Sequence, residues 1–442
     1  MAKKNRNLQD AKAAKNDEFY TRLEDIEKEC INYRKYFEGK TIYCNCDDPY
    51  QSNFFRFFAE HFYSFKIKRL ICTCYADAGM QEVSLWDETP LDNKLLSGKA
   101  YKIDISELSD YDIDEDGIWT WNDMYTLLDR DLESGEHKII SYLKGDGDFR
   151  SDECIELLKQ SDVVVTNPPF SLFREYVALM EKYEKKFLII GNMNAITYKE
   201  IFPLIKDNKL WLGYGFNLSM VYKTPYENQL QANTEFVKNK GLNPDEGYVK
   251  VPAVTWFTNL PTRKREESLV AELYKKYNED EYPKYDNYDA INVDEVSKIP
   301  VDYFGVMGVP ITFLGRYNPK EFDIVSFRKG EDGKDLVFTT EREREFNRTF
   351  VSLFNADPRL DDEQSKRYKS EWEIYLRQNN NQTKIEPIDY FYPLMQYGCA
   401  EPYIDIQIVK KLGREEYVSR QVNYNGHICQ KTYHRIFIQR VK

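Results

Sequence analysis

The chain has 442 residues, 42% hydrophobic, 31% charged and 15% aromatic, which describes a globular protein with room for two or three domains around a sizeable core. No apolar run approaches the roughly 18 residues that span a bilayer, and Met1-Ala2-Lys3-Lys4-Asn5-Arg6 lacks the apolar heart of a signal peptide, so a cytoplasmic protein with no membrane role is expected. A net charge of −12 excludes polyanion binding unless positive charge is gathered in one place.

Two such gatherings exist, with an ordinary solvated surface as the competing reading of each. Lys3, Lys4, Arg6, Lys12 and Lys15 stand against Asp10 alone in residues 1–15, a basic arm, and eight Lys or Arg, Arg435 and Arg440 among them, lie between Lys410 and Lys442. A helix follows from about Leu23 to Phe37, stopped by Gly39. Thr41 to Cys46 is a first strand ended by Asp47-Asp48-Pro49. Ser52 caps a helix carrying Phe54, Phe55, Phe57, Phe58 and Phe62, and Arg69 to Tyr75 is a second strand, parallel to the first across a right-handed crossover.

Residues 76–141, rich in acids, read as an insertion. Asp112, Asp114, Asp116, Gly117 and Asp123 nearly fit a calcium loop, with Asp where the bidentate Glu belongs; an acidic surface loop is the favoured reading, and no metal is assigned. Regular order resumes at Tyr142 to Phe149, with Ser151 capping the next helix. Strands follow at Val163, at Phe187 to Asn192, at Leu210 to Leu212 and at Val251 to Thr258, with helices at Ser171 to Tyr176 and Tyr198 to Lys206 between them. Seven strands alternating with helices predict a doubly wound α/β sheet with a nucleotide-like ligand over its carboxyl edge.

Cys44, Cys46, Cys72 and Cys74 form two Cys-x-Cys pairs on adjacent strands. Ordinary zinc sites use Cys-x-x-Cys knuckles in loops, so buried small hydrophobes are the favoured reading and zinc the minor one. From about Pro261 the chain loses its strand and helix rhythm and becomes aromatic, polar and irregular.

The stretch Val163-Val164-Val165-Thr166-Asn167-Pro168-Pro169-Phe170 carries the chemistry. A β-branched run buried on both faces ends where the prolines cannot donate ladder hydrogen bonds, leaving Asn167 at a strand's carboxyl end. An amide oxygen and a backbone carbonyl, held by a stiff diproline, can accept both hydrogens of an exocyclic amine while the aromatic ring stacks on its heterocycle, which is a pocket for a flipped-out adenine. Asn-Pro is also a common turn opener, so a plain strand end is the competing reading.

Asp17-Glu18-Phe19-Tyr20-Thr21, Tyr43-Cys44-Asn45-Cys46-Asp47-Asp48-Pro49, Gly145-Asp146-Gly147-Asp148-Phe149-Arg150-Ser151 and Thr166-Asn167-Pro168-Pro169-Phe170-Ser171-Leu172-Phe173-Arg174-Glu175 resemble the adenine-specific DNA methyltransferases of the EcoRI modification type. Tyr282 to Val293 and Gly305 to Leu314 look like that family too, and the resemblance covers most of residues 16–330, fading beyond Gly330. It implies the seven-stranded S-adenosylmethionine-dependent methyltransferase fold over 16–260 and an irregular DNA target-recognition region over 261–442, with a carboxyl-terminal extension from about 331 read as its elaboration or as a separate partner-binding domain. Asn167 and Pro168 match the acceptors of the target amine, Pro169 completes the stiff diproline of the same catalytic motif, and Phe170 matches the stacking ring. Phe19, Tyr20 and Thr21 match the segment that closes over the methionine part of S-adenosylmethionine. Asp148 matches the acid facing the cofactor's adenine, and Phe149 could pack on that ring. Cys46, Asp47 and Asp48 replace the glycine-rich cofactor turn of methyltransferases in general; strand termination and helix capping are their alternative role.

The implied activity is site-specific transfer of a methyl group to adenine N6 in double-stranded DNA by base flipping, within a restriction-modification pair whose endonuclease acts on the same site. A monomer is expected. The alternatives are a protein glutamine N5-methyltransferase and a catalytically silent DNA-binding module. Direct attack by the amine needs no His or Lys base, and none of the four His lies in these motifs.

Overall fold

The computed structural model describes residues 20–46, 48–49, 52–76, 99–106, 119–216, 220–223, 234–251, 253–286, 288–327, 363–378, 395–396, 399–400, 402–414, 420–424 and 427–441. The chain divides into two compact units, Met1–Ile201 with Lys209–Thr262, and Phe202–Asn208 with Arg263–Lys442.

The strands of the first unit are β1 (Tyr20–Thr21), β2 (Thr41–Cys44), β3 (Arg69–Thr73), β4 (Tyr101–Ile105), β5 (Ile140–Tyr142), β6 (Val163–Thr166), β7 (Lys186–Asn192), β8 (Trp211–Leu212), β9 (Val221–Lys223), β10 (Tyr248–Lys250) and β11 (Val254–Thr258). Eight of them form one sheet in the order β5-β4-β3-β2-β6-β7-β11-β8. Its centre, β3, β2, β6 and β7, is parallel, whereas β4, β5, β11 and β8 each run antiparallel to a neighbour. Every residue of β2 and β6 is buried, as expected of parallel strands covered on both faces.

The helices of the first unit include α1 (Leu23–Cys30), α2 (Asn53–Glu60), α3 (Trp121–Ser134), α4 (Asp152–Gln160) and α5 (Phe173–Lys182). Phe54, Phe55, Phe57 and Phe58 of α2 share one apolar cluster with Ile42, Cys44, Val163, Val165, Leu188 and Ile190. By the alternation of a strand, Tyr43, Val164 and Ile189 face the other side of the sheet. The chain leaves β2 toward β3 on one flank and returns as β6 on the other, so the reversal of strand order lies between β2 and β6, paired Ile42 to Val163 and Tyr43 to Val164.

Three expectations are corrected. The sheet has eight strands where seven were expected, because β4 comes from the predicted insertion. Tyr101, Ile103 and Ile105 are buried while Lys102 and Asp104 are half-buried, and Arg69 clasps Asp104 at 2.7 Å. The third strand of the reading falls at β5 rather than Tyr142 to Phe149. The helix expected from Leu23 to Phe37 breaks into α1, a 3-10 turn at Ile31–Tyr33 and a short helix at Arg34–Phe37; Asn32 bonds back to the carbonyls of Lys28 and Glu29 at 2.7 and 3.1 Å, competing with the helical pattern.

Asp112 to Gly117 of the calcium-like loop lie outside the described residues. Asp123 is buried and closes the capping box of α3, accepting from the Thr120 backbone N–H at 2.8 Å.

The second unit contains β12 (Ile291–Asn292), β13 (Met307–Pro310), β14 (Phe322–Phe327), β15 (Met395–Gln396), β16 (Cys399–Ala400), β17 (Tyr403–Asp405), β18 (Arg420–Tyr424), β19 (His427–Lys431) and β20 (Arg435–Arg440). They form sheets β12-β13-β20-β14 and β17-β19-β18 and the pair β15-β16. β20 lies between β13 and β14, and its Ile436, Phe437 and Ile438 are fully buried, so the carboxyl-terminal end completes this unit's core. Arg435, expected among phosphate-contacting cations, is instead internal: it is 5% exposed and donates to Asn292 Oδ1 at 3.1 Å and Asp294 Oδ1 at 3.2 Å. Burial with a carboxylate partner is the condition under which an Arg is tolerated inside. Lys3, Lys4 and Arg6 lie outside the described residues. Among the described residues no helix is long and apolar enough to cross a membrane.

Candidate active site

The run of β6 is stopped by Pro168 and Pro169, which leaves Asn167 half-buried at the strand's end beside the buried Pro168. Phe170 opens a 3-10 turn, Phe170–Leu172, in which the Leu172 N–H bonds the Pro169 carbonyl at 3.0 Å before α5 begins. Its ring is half-buried and packs against the core cluster of the sheet. The helix expected at Ser171 to Tyr176 is therefore this turn followed by α5.

Beside it, β2 is followed by Asn45 and Cys46. Cys46 has φ 77, the left-handed conformation that a glycine adopts freely and that costs another residue about 1–2 kcal/mol. Its Sγ lies 3.6 Å from Asn45 Oδ1. Asp47 lies outside the described residues. Asp48 is half-buried, its carboxylate accepts from the Tyr101 hydroxyl at 2.9 Å, and its carbonyl accepts from the Ser52 N–H at 2.7 Å. Tyr101 brings the inserted strand β4 to this edge.

The loop after β5 is drawn to the end of β3. Gly147 has φ +80, and a Cβ there would run into the carbonyl oxygen of Cys74; the Ala76 N–H bonds the Asp146 carbonyl at 2.8 Å. Asp146 Oδ1 accepts from the Asp148 N–H at 3.0 Å. Asp148 in turn is gripped by Arg150, whose Nε and Nη2 reach its two oxygens at 2.9 and 2.7 Å and whose Nη1 reaches Glu175 of α5 at 2.8 Å. Hydrogen bonding from Arg150 holds the Asp148 carboxyl below the usual range, so it is an acceptor at neutral pH. Phe149 is buried, edge-on to Tyr176 of α5 at 5.0 Å, with Arg150 above it at 5.2 Å.

The amino-terminal segment meets this edge. Phe19 and the Tyr20 side chain lie outside the described residues, but β1 pairs with β9, and the buried Thr21 accepts at its carbonyl from Asn53, the first residue of α2, at 2.7 Å. Thr21 Oγ1 and Asn53 Oδ1 are buried and have no hydrogen-bond partner among the described residues.

Asn167, Pro168, Pro169, Phe170, Thr21, Cys46, Asp48, Asp148 and Phe149 therefore stand around the carboxyl ends of β2, β3, β5 and β6. Sequence reasoning passed over Asn45, Tyr101, Thr166, Tyr176, Arg150 and Asn53, which hold them. Only Arg150 carried a local signal, two residues after an Asp that can bond its N–H, as it does at 2.8 Å. Cys44 and Cys72 are buried partners in the β2 and β3 register, and among the described residues no three metal-ligating side chains gather.

Comparison with known proteins extends this picture. The family model described as adenine-specific methyltransferase EcoRI matches residues 7–440, so the likeness runs on well beyond Gly330. Type II methyltransferase M.EcoRI of Escherichia coli is 44% identical over 345 residues, 75% of this chain and 92% of that protein. Type II methyltransferase M.MgeORF184P of Mycoplasma genitalium is 38% identical over 318 residues, 71% of this chain and 84% of its own length. Type II methyltransferase M.MpnI of Mycoplasma pneumoniae is 38% identical over 319 residues, 71% and 83% of the two chains. No solved structure matches. With an Asn-Pro-Pro-Phe strand end at the reversal of an α/β sheet and a family match over nearly its whole length, the chain belongs to the EcoRI-type adenine-specific methyltransferases.

Proposed function

We propose that this adenine-specific methyltransferase takes its methyl group from S-adenosylmethionine and delivers it to N6 of an adenine flipped out of double-stranded DNA, with Asn167, Pro168 and Phe170 holding the base. The observation that carries the reading is the position of Asn167 at the end of β6, next to β2 at the reversal of strand order, where open α/β sheets bind ligands. Leaving out β4, the strand order is β5-β3-β2-β6-β7-β11-β8, which supports reading the sheet as a seven-stranded doubly wound methyltransferase sheet with one strand inserted.

The residues present suit the cofactor. Thr21 Oγ1 and Asn53 Oδ1 are buried acceptors without a partner among the described residues, which fits the ammonium end of a methionine group. Asp148 keeps an acceptor position for an adenine amine, and Phe149 supplies an apolar surface. The resemblance to the family adds Cys46, Asp47 and Asp48 as cofactor-turn residues and Phe19, Tyr20 and Thr21 as the segment over the methionine part.

When bound, S-adenosylmethionine supplies an electrophilic sulfonium methyl. The obstacle is the adenine amine, whose lone pair is delocalised into the ring. The Asn167 amide oxygen and the Pro168 carbonyl accept both amine hydrogens and so favour a tetrahedral nitrogen, an interaction strongest in the transition state. Phe170 replaces the stacking lost when the base leaves the duplex. The second unit is read as the part that recognises the DNA sequence, and a restriction endonuclease acting on the same site is the partner that the Type II names of the relatives point to. The reading places the enzyme, as a monomer, in the cytoplasm with its DNA. The family and the relatives leave a glutamine methyltransferase or a silent binding module without support.

The test is Asn167→Ala. Single-turnover transfer to DNA falls by roughly 10²–10³-fold while the cofactor still binds, because an acceptor used in the transition state is gone. A near-normal rate refutes the assignment.

A further inference from the structure

The last backbone pair between β2 and β6 is Tyr43 with Val164; beyond it the two strand ends carry the two loops that the proposed reaction must bring together. Past that point the links given by the structure run through Asn45. Its backbone carbonyl accepts from the Thr166 hydroxyl, one residue before Asn167, and its Oδ1 accepts from the Tyr176 hydroxyl on α5 at 2.5 Å. Asn45 is 3% exposed, and Thr166 and Tyr176 are fully buried. Burial keeps the Tyr176 phenol well above its ordinary range, so the hydroxyl stays a donor at any working pH. Buried, satisfied bonds of this kind are stiff. On one side Asn45 leads directly into the left-handed turn at Cys46, and on the other Tyr176 touches Phe149.

We propose that Asn45, Thr166 and Tyr176 are positioning residues for methyl transfer, a brace that sets the spacing between the loop after β2 and the Asn167 loop after β6. The inference rests on the functional reading above. Bringing a methyl donor and an amine into line demands reacting atoms about 3–3.5 Å apart, and a misplacement of about 1 Å costs on the order of 10²-fold in rate. A residue that holds the two loops at a fixed separation therefore acts on the chemical step rather than on the affinity of either loop for its ligand.

Tyr176→Phe and Thr166→Val each remove one hydroxyl and keep the shape of the side chain. With the full chain, a duplex carrying the site modified by the wild type and saturating S-adenosylmethionine, each variant is expected to lower the single-turnover rate by roughly 10–100-fold, with dissociation constants for cofactor and DNA within about twofold of wild type. Thr166→Ser, which retains the hydroxyl, is expected to restore the rate, and it serves if Tyr176→Phe does not fold. A full rate in Tyr176→Phe and Thr166→Val overturns the brace, as does a loss that appears only as weaker binding. A purely structural role would lower the melting temperature and leave the saturated rate untouched. Absence of transfer by the unaltered chain refutes the functional reading itself, and is thereby distinguished from failure of the brace alone.

Discussion

In the first unit β6 and β7 pair across a single helix, Val163 against Lys186, whereas in the second β13 and β14 are joined only when β20 arrives from the far end of the chain, Met307 against Ile438 and Phe322 against Arg440. The interiors differ in kind as well. Around β2 and β6 the core is aliphatic and phenylalanine-rich. Beside β12, the buried Arg435 shares Asp294 with Arg414, while Asn292 accepts from Arg435 and from the Tyr285 hydroxyl at 2.6 Å. Local pairing and apolar runs leave a periodic trace in sequence. Long-range pairing and buried charge do not, since an Arg destined for the interior reads like any surface cation until its partner is known.

The largest test of this contrast is Arg435→Ala, which removes one buried donor from Asn292 and from Asp294 while Tyr285 stays on the first and Arg414 on the second, and is expected to cost the second unit about 3 kcal/mol, the lower end of the scale for breaking a buried pair. Denaturant unfolding followed alongside cofactor binding checks it. If binding by the first unit is lost at the same denaturant concentration, the two units are one cooperative structure and the contrast fails.

Next is Gly147→Ala in the first unit. It forces an L side chain into a left-handed turn against the Cys74 carbonyl, at an expected cost of about 2–3 kcal/mol in stability. Thermal unfolding gives the value, and a loss below about 0.5 kcal/mol means the loops after β3 and β5 can separate freely.

A smaller effect is expected from Asp148→Ala, about 1–3 kcal/mol of S-adenosylmethionine affinity, the scale of one charge-assisted hydrogen bond. Calorimetry without DNA isolates it. An unchanged dissociation constant makes the Asp148 and Arg150 pair a purely structural clasp.

The smallest is a difference in acid response. In the second unit burial, aided by the nearby Asp405, pushes the Asp286 carboxyl up to about 6. The unfolded chain then binds fewer protons than the folded one between its ordinary value and that one, so this contribution destabilises as pH rises through that window. Asp148 has the opposite sign, because Arg150 holds it low and its contribution disappears only as pH falls through that lowered value. Hydrogen exchange corrected for intrinsic rates is expected to show β19 gaining protection from about pH 7 to about pH 5 while β6 holds steady. Equal responses would erase the electrostatic part of the contrast.

What the sequence determined by itself is the alternation of strands and helices in the first unit and the placement of Asn167, Pro168 and Phe170 at a strand's end, because β-branched runs, prolines and caps act on the residues next to them. Thr41–Cys44, Val163–Thr166 and the caps at Ser52 and Ser151 lie where the pattern put them. Only the tertiary structure decided that Tyr101–Ile105 joins the sheet, that Cys46 supplies a glycine's conformation, that Arg435 turns inward, and that Asn45 links two strand ends through Thr166 and Tyr176. Each of these depends on a partner distant in the chain or on a backbone angle imposed from outside. Such a choice is settled by packing, since a buried polar group takes whichever neighbour satisfies it.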